Sequence, residues 1–244
     1  MDITTITSVL VLTLFISVIF CVTFYRNIKD FSEVNEKKPL VIPDHLSYAS
    51  IDEPYLRPFI MPNVLSKIQC NTLINYAMGQ LEKTIVDGRY VQNKYSKQVW
   101  ILKDNPLVKD IIEFFAKKLY VSVDNAENVQ MFRYLPYQTF EEKYDSCCDD
   151  NGKCKDFLKR GGQRKFAIII YLNQDYEGGE TYFRNLDLKY KPNEGGAIVL
   201  YPLADKSSKC HPYSVHNSLP ISRNDKWTMQ IWFREYKIPE LIKN

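Results

Sequence analysis

Past residue 126 the chain becomes a series of short apolar or alternating runs: VQMFRYL, KFAIIIYLN, ETYF, GGAIVLYP, YSVHNS and KWTMQIWFREY. A period of two sends successive side chains to opposite faces, which is the pattern of a strand. Gly178-Gly179 and Gly195-Gly196 punctuate the runs as turns. Short strands at such regular spacing predict an all-β sandwich or barrel rather than alternating β/α units. Two helices are expected ahead of them. In residues 66–81, SKIQCNTLINYAMGQL, Ile68, Leu73, Ile74 and Met78 recur at three-to-four spacing behind Ser66 as the cap. In residues 105–120, NPLVKDIIEFFAKKLY, Asn105 caps and Pro106 takes the first position, with Leu107, Ile111, Phe114 and Leu119 toward one side.

The N-terminal third has a different texture. Residues 3–25 carry no charge. At 1.5 Å rise per residue, about 20 residues span the roughly 30 Å core of a bilayer. A cleaved signal peptide wants a basic start and a small-residue cleavage site, but here Asp2 precedes the run and Phe24-Tyr25 close it. The reading is a single membrane anchor, residues 1–25. Arg26 and Lys29 favour a cytoplasmic side after the span, and nearby Asp30 and Glu33 offset them. The side stays open, with the endoplasmic-reticulum lumen and a host or virion membrane as the alternatives. Residues 26–54 are polar and proline-bearing and read as a linker into a first strand near YLRPFIMPNVL. The remaining 55–244 form one domain, with its motif-bearing core at 126–236.

Composition narrows the chemistry. Thirty-two basic against 29 acidic residues give a net charge of +3, which offers no electrostatic reason to propose a nucleic-acid partner. Aromatic residues make up 14%, which suits strands. Only three histidines occur, His45, His211 and His216, so a histidine-based metal site must be sparse or mixed. His45 falls in the linker, and His211 is out of strand phase with His216 and reads as structural. Of six cysteines, Cys147, Cys148 and Cys154 cluster at a spacing that matches no common zinc signature. They read as one disulfide or several free thiols, a disulfide requiring an oxidising compartment.

Four pieces then stand in a fixed order: YLPYQTFEEKYD, GGQRKFAIIIYLNQDYEGGETYF, PNEGGAIVLYP and HNSLPISRNDKWTMQIWF. Together they resemble the prolyl 4-hydroxylases of the iron(II)/2-oxoglutarate-dependent dioxygenases, in particular the small algal- and giant-virus-type members. The resemblance covers roughly residues 55–236. The family pattern Tyr-x-x-Gly-x-x-aromatic-x-x-His-x-Asp falls on Tyr134, Tyr137, Phe140, Lys143 and Asp145. Gly161 to Arg164 precede the long strand, and Glu177 to Phe183 form the Glu-Gly-Gly-Glu-Thr-x-Phe turn. The distal His with its following Pro and Lys-Trp is His216, Pro220, Lys226 and Trp227. A looser match places the peptide-binding loop at Lys94-Tyr95-Ser96, with Trp100 beside it.

The resemblance implies a mainly β fold with flanking helices (α+β): a double-stranded β-helix, or jelly-roll, core. It also implies hydroxylation of proline in a proline-containing or collagen-like peptide, with Fe(II), 2-oxoglutarate and ascorbate. Non-haem Fe(II) oxygenases hold iron by two imidazoles and one carboxylate on one face. Asp145 and His216 would supply two of these donors. Lys226, with Tyr134, would hold the far carboxylate of 2-oxoglutarate. Lys143 stands where the first imidazole belongs. A lysine ligates metal only when neutral, and deprotonating an ordinary one at pH 7 costs roughly 4.6 kcal/mol. Three pictures stay open: a neutral Lys143 as ligand, a charged Lys143 replacing the metal in a pseudoenzyme that only grips peptide, or Lys143 pointing outward from a two-residue site. The expectation is a dioxygenase.

Overall fold

The computed structural model describes residues 48–80, 97–137, 141–148 and 153–239, with the short paired segments 82–83, 85–86 and 89–90. The anchor reading for 1–25, and His45, Lys94, Tyr95, Ser96 and Phe140, lie outside the described residues. Among the described residues no helix is long and apolar enough to cross a membrane.

The strands, in chain order, are β1 (Phe59–Met61), β2 (Glu82–Lys83), β3 (Ile85–Val86), β4 (Arg89–Tyr90), β5 (Lys97–Ile101), β6 (Val129–Tyr134) and β7 (Arg164–Tyr171). They continue with β8 (Glu177–Gly178), β9 (Thr181–Phe183), β10 (Leu188–Tyr190), β11 (Ala197–Leu200), β12 (Asn217–Ser218), β13 (Ile221–Arg223) and β14 (Lys226–Arg234). One seven-stranded sheet runs in the order β1-β11-β7-β14-β6-β5-β2. Two smaller sheets, β10-β9-β12 and β13-β8, supply the second layer of the jelly roll. The large sheet is built from antiparallel pairs, with Met229 on β14 opposite Met131 of β6 on one side and Ile170 of β7 on the other.

Alternation along these strands separates two cores. On β7, Ile168 and Ile170 join the core under the helices, whereas Ala167, Ile169 and Tyr171 join the core between the sheets. On β14, Trp227, Met229, Ile231 and Phe233 face the helices, and Trp232 faces the second layer. All nine residues of β14 are buried, as expected for a central strand covered on both sides.

Both expected helices form, with shifted buried faces. The first spans Lys67–Met78 and opens with a capping box in which Ser66 Oγ accepts from Gln69 N and the Gln69 side chain accepts from Ser66 N. Its buried face is Cys70, Leu73 and Ala77, while Ile68 is 78% exposed and Met78 is exposed too. The expected stripe is therefore corrected: Leu73 is kept, Ile74 only flanks the core, and Cys70 and Ala77 take the places of Ile68 and Met78. The second spans Pro106–Leu119 behind the Asn105 cap and buries Val108, Ile111, Ile112, Phe115 and Ala116. Phe114 is exposed, and Leu107 and Leu119 only flank the core. The run YSVHNS is not a strand either. Pro212–Ser214 make a 3-10 turn, closed by His211 Nδ1 accepting from Tyr213 N, before the two-residue β12.

Two disulfides form, where the cysteine cluster had suggested at most one within itself. Among the described residues Cys147 pairs with Cys154 and Cys148 with Cys210, and Cys70 is a buried free thiol; Cys21 lies outside them. The cluster therefore reaches outside itself: Cys148 is tied to a residue 62 positions away.

Candidate functional site

The second face of β14 is polar: Lys226, Thr228, Gln230, Trp232 and Arg234, every second residue, all buried. A buried polar face needs partners or a ligand. At its far end Arg234 Nε sits 2.8 Å from Glu127 Oε1, and Arg164 binds both oxygens of the same carboxylate at 2.7 Å. Burial pushes the Glu127 carboxyl up, but the two guanidinium groups outweigh it and hold it below its ordinary range. Arg164 also lies over the Trp232 ring, 3.9 Å from its centroid.

Lys226 occupies the near end and is 1% exposed. Its Nζ donates to Gly179 O at 2.6 Å, Ser218 Oγ at 3.0 Å and Tyr171 OH at 3.4 Å, and lies over the rings of Tyr134 and Tyr171. Tyr171 OH is bonded in turn to Thr181 Oγ1 at 2.7 Å. The glycine turn is required here. Gly179 has φ +71°, and a Cβ on it would come 3.2 Å from Lys226 Cδ and 3.1 Å from Ile221 Cγ1. Gly178, at φ +76°, would set a Cβ 2.5 Å from Pro220 O. Every hydrogen-bond partner of the ammonium named here is uncharged. Burial drives its pKa down to about 7, with Lys191 adding to the fall and Glu180 opposing it. Such a group gains most from an incoming carboxylate. Burial also raises Tyr134, to about 12, so its phenol stays protonated as a donor.

The second cluster is Lys143, Asp145 and His216. Lys143 and His216 form one backbone bridge, in which Lys143 N donates to His216 O at 2.9 Å and His216 N donates to Lys143 O at 3.1 Å. That bridge brings the three side chains together. Asp145 Oδ2 lies 3.7 Å from His216 Nε2, and both atoms are buried without a hydrogen-bond partner. His216 Nδ1 is held by Ser214 O at 2.9 Å, which aims Nε2 at the carboxylate. Burial, with Lys143 adding to it, lowers the imidazole pKa against the pull of Asp145, so the ring is neutral. Burial raises the Asp145 carboxyl, but Lys143, His216 and Arg164 together outweigh it and hold the group well below the usual range.

Carboxylate and neutral imidazole are donors that non-haem iron takes, and these two atoms face each other at 3.7 Å. Two of three donors therefore fit an Fe(II) centre. Among the described residues no group of three or more His, Cys, Asp or Glu stands in position to hold a metal. The third neighbour is Lys143, whose Nζ is 3.1 Å from Asp145 Oδ1 although the side chain is 44% exposed. The ammonium also approaches Gln230 Oε1 at 3.5 Å and the Trp232 ring at 5.8 Å. In this arrangement the Lys143 side chain turns toward Asp145.

Among the other expected residues, Trp100 is described and half exposed, with its ring 6.3 Å from Trp232. His211 is fully buried, stacked on Tyr55, with Nε2 against Glu53 O. Tyr137, at the glycine position of the motif, keeps a left-handed φ of +62° and donates its N–H to Ile221 O at 2.8 Å. The sequence reading missed Tyr171, Ser218 and Gln230. Tyr171 had a signal: a phenol ending the apolar run AIII, in strand phase with Ala167 and Ile169 on the inner face.

A family model described as the 2OG-Fe(II) oxygenase superfamily matches residues 129–234, the span from β6 through β14. A protein of Acanthamoeba polyphaga mimivirus named "Putative prolyl 4-hydroxylase" is 42% identical over 218 residues, covering 89% of this chain and 88% of that protein. Prolyl 4-hydroxylase 1 of Arabidopsis thaliana is 26% identical, over 83% of this chain and 71% of its own length. Among solved structures, the viral collagen prolyl hydroxylase of Paramecium Bursaria Chlorella virus-1, in its 2OG complex, superposes with a TM-score of 0.58. It is 27% identical and covers 74% of this chain and 96% of that one.

Proposed function

We propose, because this chain belongs to the prolyl 4-hydroxylases of the 2OG-Fe(II) oxygenase superfamily, that it hydroxylates proline in a proline-rich or collagen-like peptide. In this reading Asp145 and His216 hold iron and Lys226 and Tyr134 hold 2-oxoglutarate. The observation that carries it is the buried, unpartnered pair Asp145 Oδ2 and His216 Nε2, set against the polar face of β14 that ends in Lys226. Fe(II) with 2-oxoglutarate and O2 supplies the oxidising chemistry: the co-substrate leaves as succinate and CO2, and one oxygen atom enters the proline. The chain itself orients the reactants. The Lys226 ammonium fixes the distal carboxylate, the Tyr134 phenol donates beside it, and the Gly178-Gly179 turn leaves room for the lysine stem. Trp100, with the loop at Tyr95-Ser96, is proposed to line the peptide groove, and ascorbate to keep the iron reduced. The uncharged run 3–25 is proposed as an anchor with the domain on an oxidising side, which the two disulfides support.

A second reading has its own observation. The Lys143–Asp145 ion pair places a cation beside the metal position, which favours a peptide-binding module without turnover. The two are separated by loading the full chain with Fe(II) anaerobically, adding 2-oxoglutarate and a proline-rich peptide, and admitting O2. Succinate matched by a 16 Da gain on proline is the expected result. Peptide binding with neither product would establish the module instead.

The depressed Lys226 gives a pH dependence with a definite sign. A bound carboxylate favours the charged amine, so below pH 7, where Lys226 is already protonated, affinity for 2-oxoglutarate should be flat. Above it, binding must take up a proton, and affinity should fall by up to about tenfold per pH unit. Calorimetry between pH 6 and 9, in buffers of different ionisation enthalpy, measures both the fall and the proton uptake. A flat profile would place the distal carboxylate elsewhere.

A further inference from the structure

The segments that carry Asp145 and His216 run side by side and are joined at two points. One is the backbone bridge between Lys143 and His216, with its two hydrogen bonds. The other is the disulfide Cys148–Cys210. Asp145 lies between them, two residues from the bridge and three from the sulfur. Other contacts fix this segment to the start of β7: Ser146 Oγ donates to Arg164 O at 2.7 Å, and Gln163 exchanges bonds with the Cys147 backbone at 3.0 and 2.7 Å. These hold residues 146 and 147 to β7 but not to the histidine side. Within this cluster the covalent tie between the two donor segments is Cys148–Cys210. On the far side, Cys210 is itself seated. Its carbonyl accepts from Ala49 N at 2.8 Å, and it bridges Leu203 and Tyr48.

We infer that Cys148–Cys210 is a positioning element of the metal pair: it holds the Asp145 segment in register with the His216 segment, and opening it weakens metal binding by the folded domain. The inference rests on the reading of Asp145 and His216 as metal donors. Both half-cystines are buried, so the bond is a fixed staple, not an exposed redox switch. Its effect on a metal site follows from tolerance: donor atoms must be held within about 0.5 Å to share one ion. The adjacent Cys147–Cys154 serves as an internal comparison. It joins two positions 7 residues apart on the Asp145 side of the chain.

The test uses the full chain and Co(II) as an oxygen-stable probe, followed by its visible absorption and by calorimetry. Cys148→Ala with Cys210→Ala should weaken Co(II) binding at least tenfold. Cys147→Ala with Cys154→Ala should stay within twofold of the parent. His216→Ala in the same titration keeps the two ideas apart. If His216→Ala binds Co(II) like the parent, the metal-donor reading fails. If His216→Ala loses Co(II) but the Cys148/Cys210 variant keeps it, the staple is not a positioning element. A merely structural role would lower the melting temperature and leave the affinity of the folded protein unchanged. Should that double variant lack a cooperative melt, the Co(II)-loaded parent is reduced under native conditions. Loss of the Co(II) spectrum should then track alkylation of Cys148 and Cys210, with near-ultraviolet dichroism retained. A spectrum that survives their alkylation overturns the inference.

Discussion

Lys143→His should tighten Fe(II) binding at least about 100-fold, since losing even an outer partner of a metal ligand typically costs 10- to 100-fold and this change adds a ligand outright. In the parent, the ammonium lies 3.1 Å from Asp145 Oδ1. A dication entering beside Asp145 would meet that charge at close range. At about 4 Å and an effective dielectric near 20, the repulsion is roughly 8 kcal/mol. The ammonium and iron therefore do not share the carboxylate, and Lys143 must swing out or lose its proton when iron binds. Its side chain is 44% exposed, so a route outward exists. Giving up a partly exposed ion pair costs only about 1 kcal/mol. Lys143→Ala isolates that contribution and should tighten Fe(II) about fivefold. The remaining gain in Lys143→His comes from the imidazole, which ligates without deprotonation. His216→Ala should abolish binding. Anaerobic titration of the three variants reads all of this. Equal affinities for Lys143→Ala and Lys143→His would show that position 143 does not reach the metal, despite its contact with Asp145.

Lys226→Ala should weaken 2-oxoglutarate at least about thirtyfold while leaving metal affinity within twofold. Removing one partner of a buried charge pair costs about 2–5 kcal/mol, and thirtyfold is the lower end. Lys226 is among the largest fully buried side chains, and its ammonium has uncharged partners in Gly179 O, Ser218 Oγ and Tyr171 OH. The separation from the metal side is also structural. Lys226 is four residues from Gln230 along β14, about 13 Å at strand rise, and it is Gln230 that the Lys143 ammonium approaches. Calorimetry of 2-oxoglutarate on Co(II)-loaded protein is the measurement. An unchanged dissociation constant would take Lys226 out of the co-substrate site.

Much of this was legible along the chain because it is local. The alternation in KWTMQIWFR fixes which residues of β14 face the helices and which face the site, since strand period needs no tertiary information. The same holds for the Asn105-Pro106 helix start and for Ser66 as the cap of the first helix. The motif order implied the jelly roll and its donors, and the Gly-Gly turn proved necessary because both residues hold positive φ and a Cβ at Gly178 would meet the Pro220 carbonyl. Other features depended on distance in space. The buried faces of both helices moved because contact with the sheet, not spacing alone, chooses among neighbouring stripes. The partner of Cys148 lies 62 residues away, and no spacing rule within CCDDNGKC points to it. Tyr171 and Ser218 became partners of Lys226 only when strands far apart in the chain were brought together.

The question that sequence posed most sharply, where Lys143 goes, depends on neighbours that only the fold supplies. Its residue type established that a cation stands in the place of an imidazole. Only the backbone bridge to His216 showed that this cation turns inward onto Asp145, because a long, half-exposed side chain has no preferred direction until its neighbours are placed.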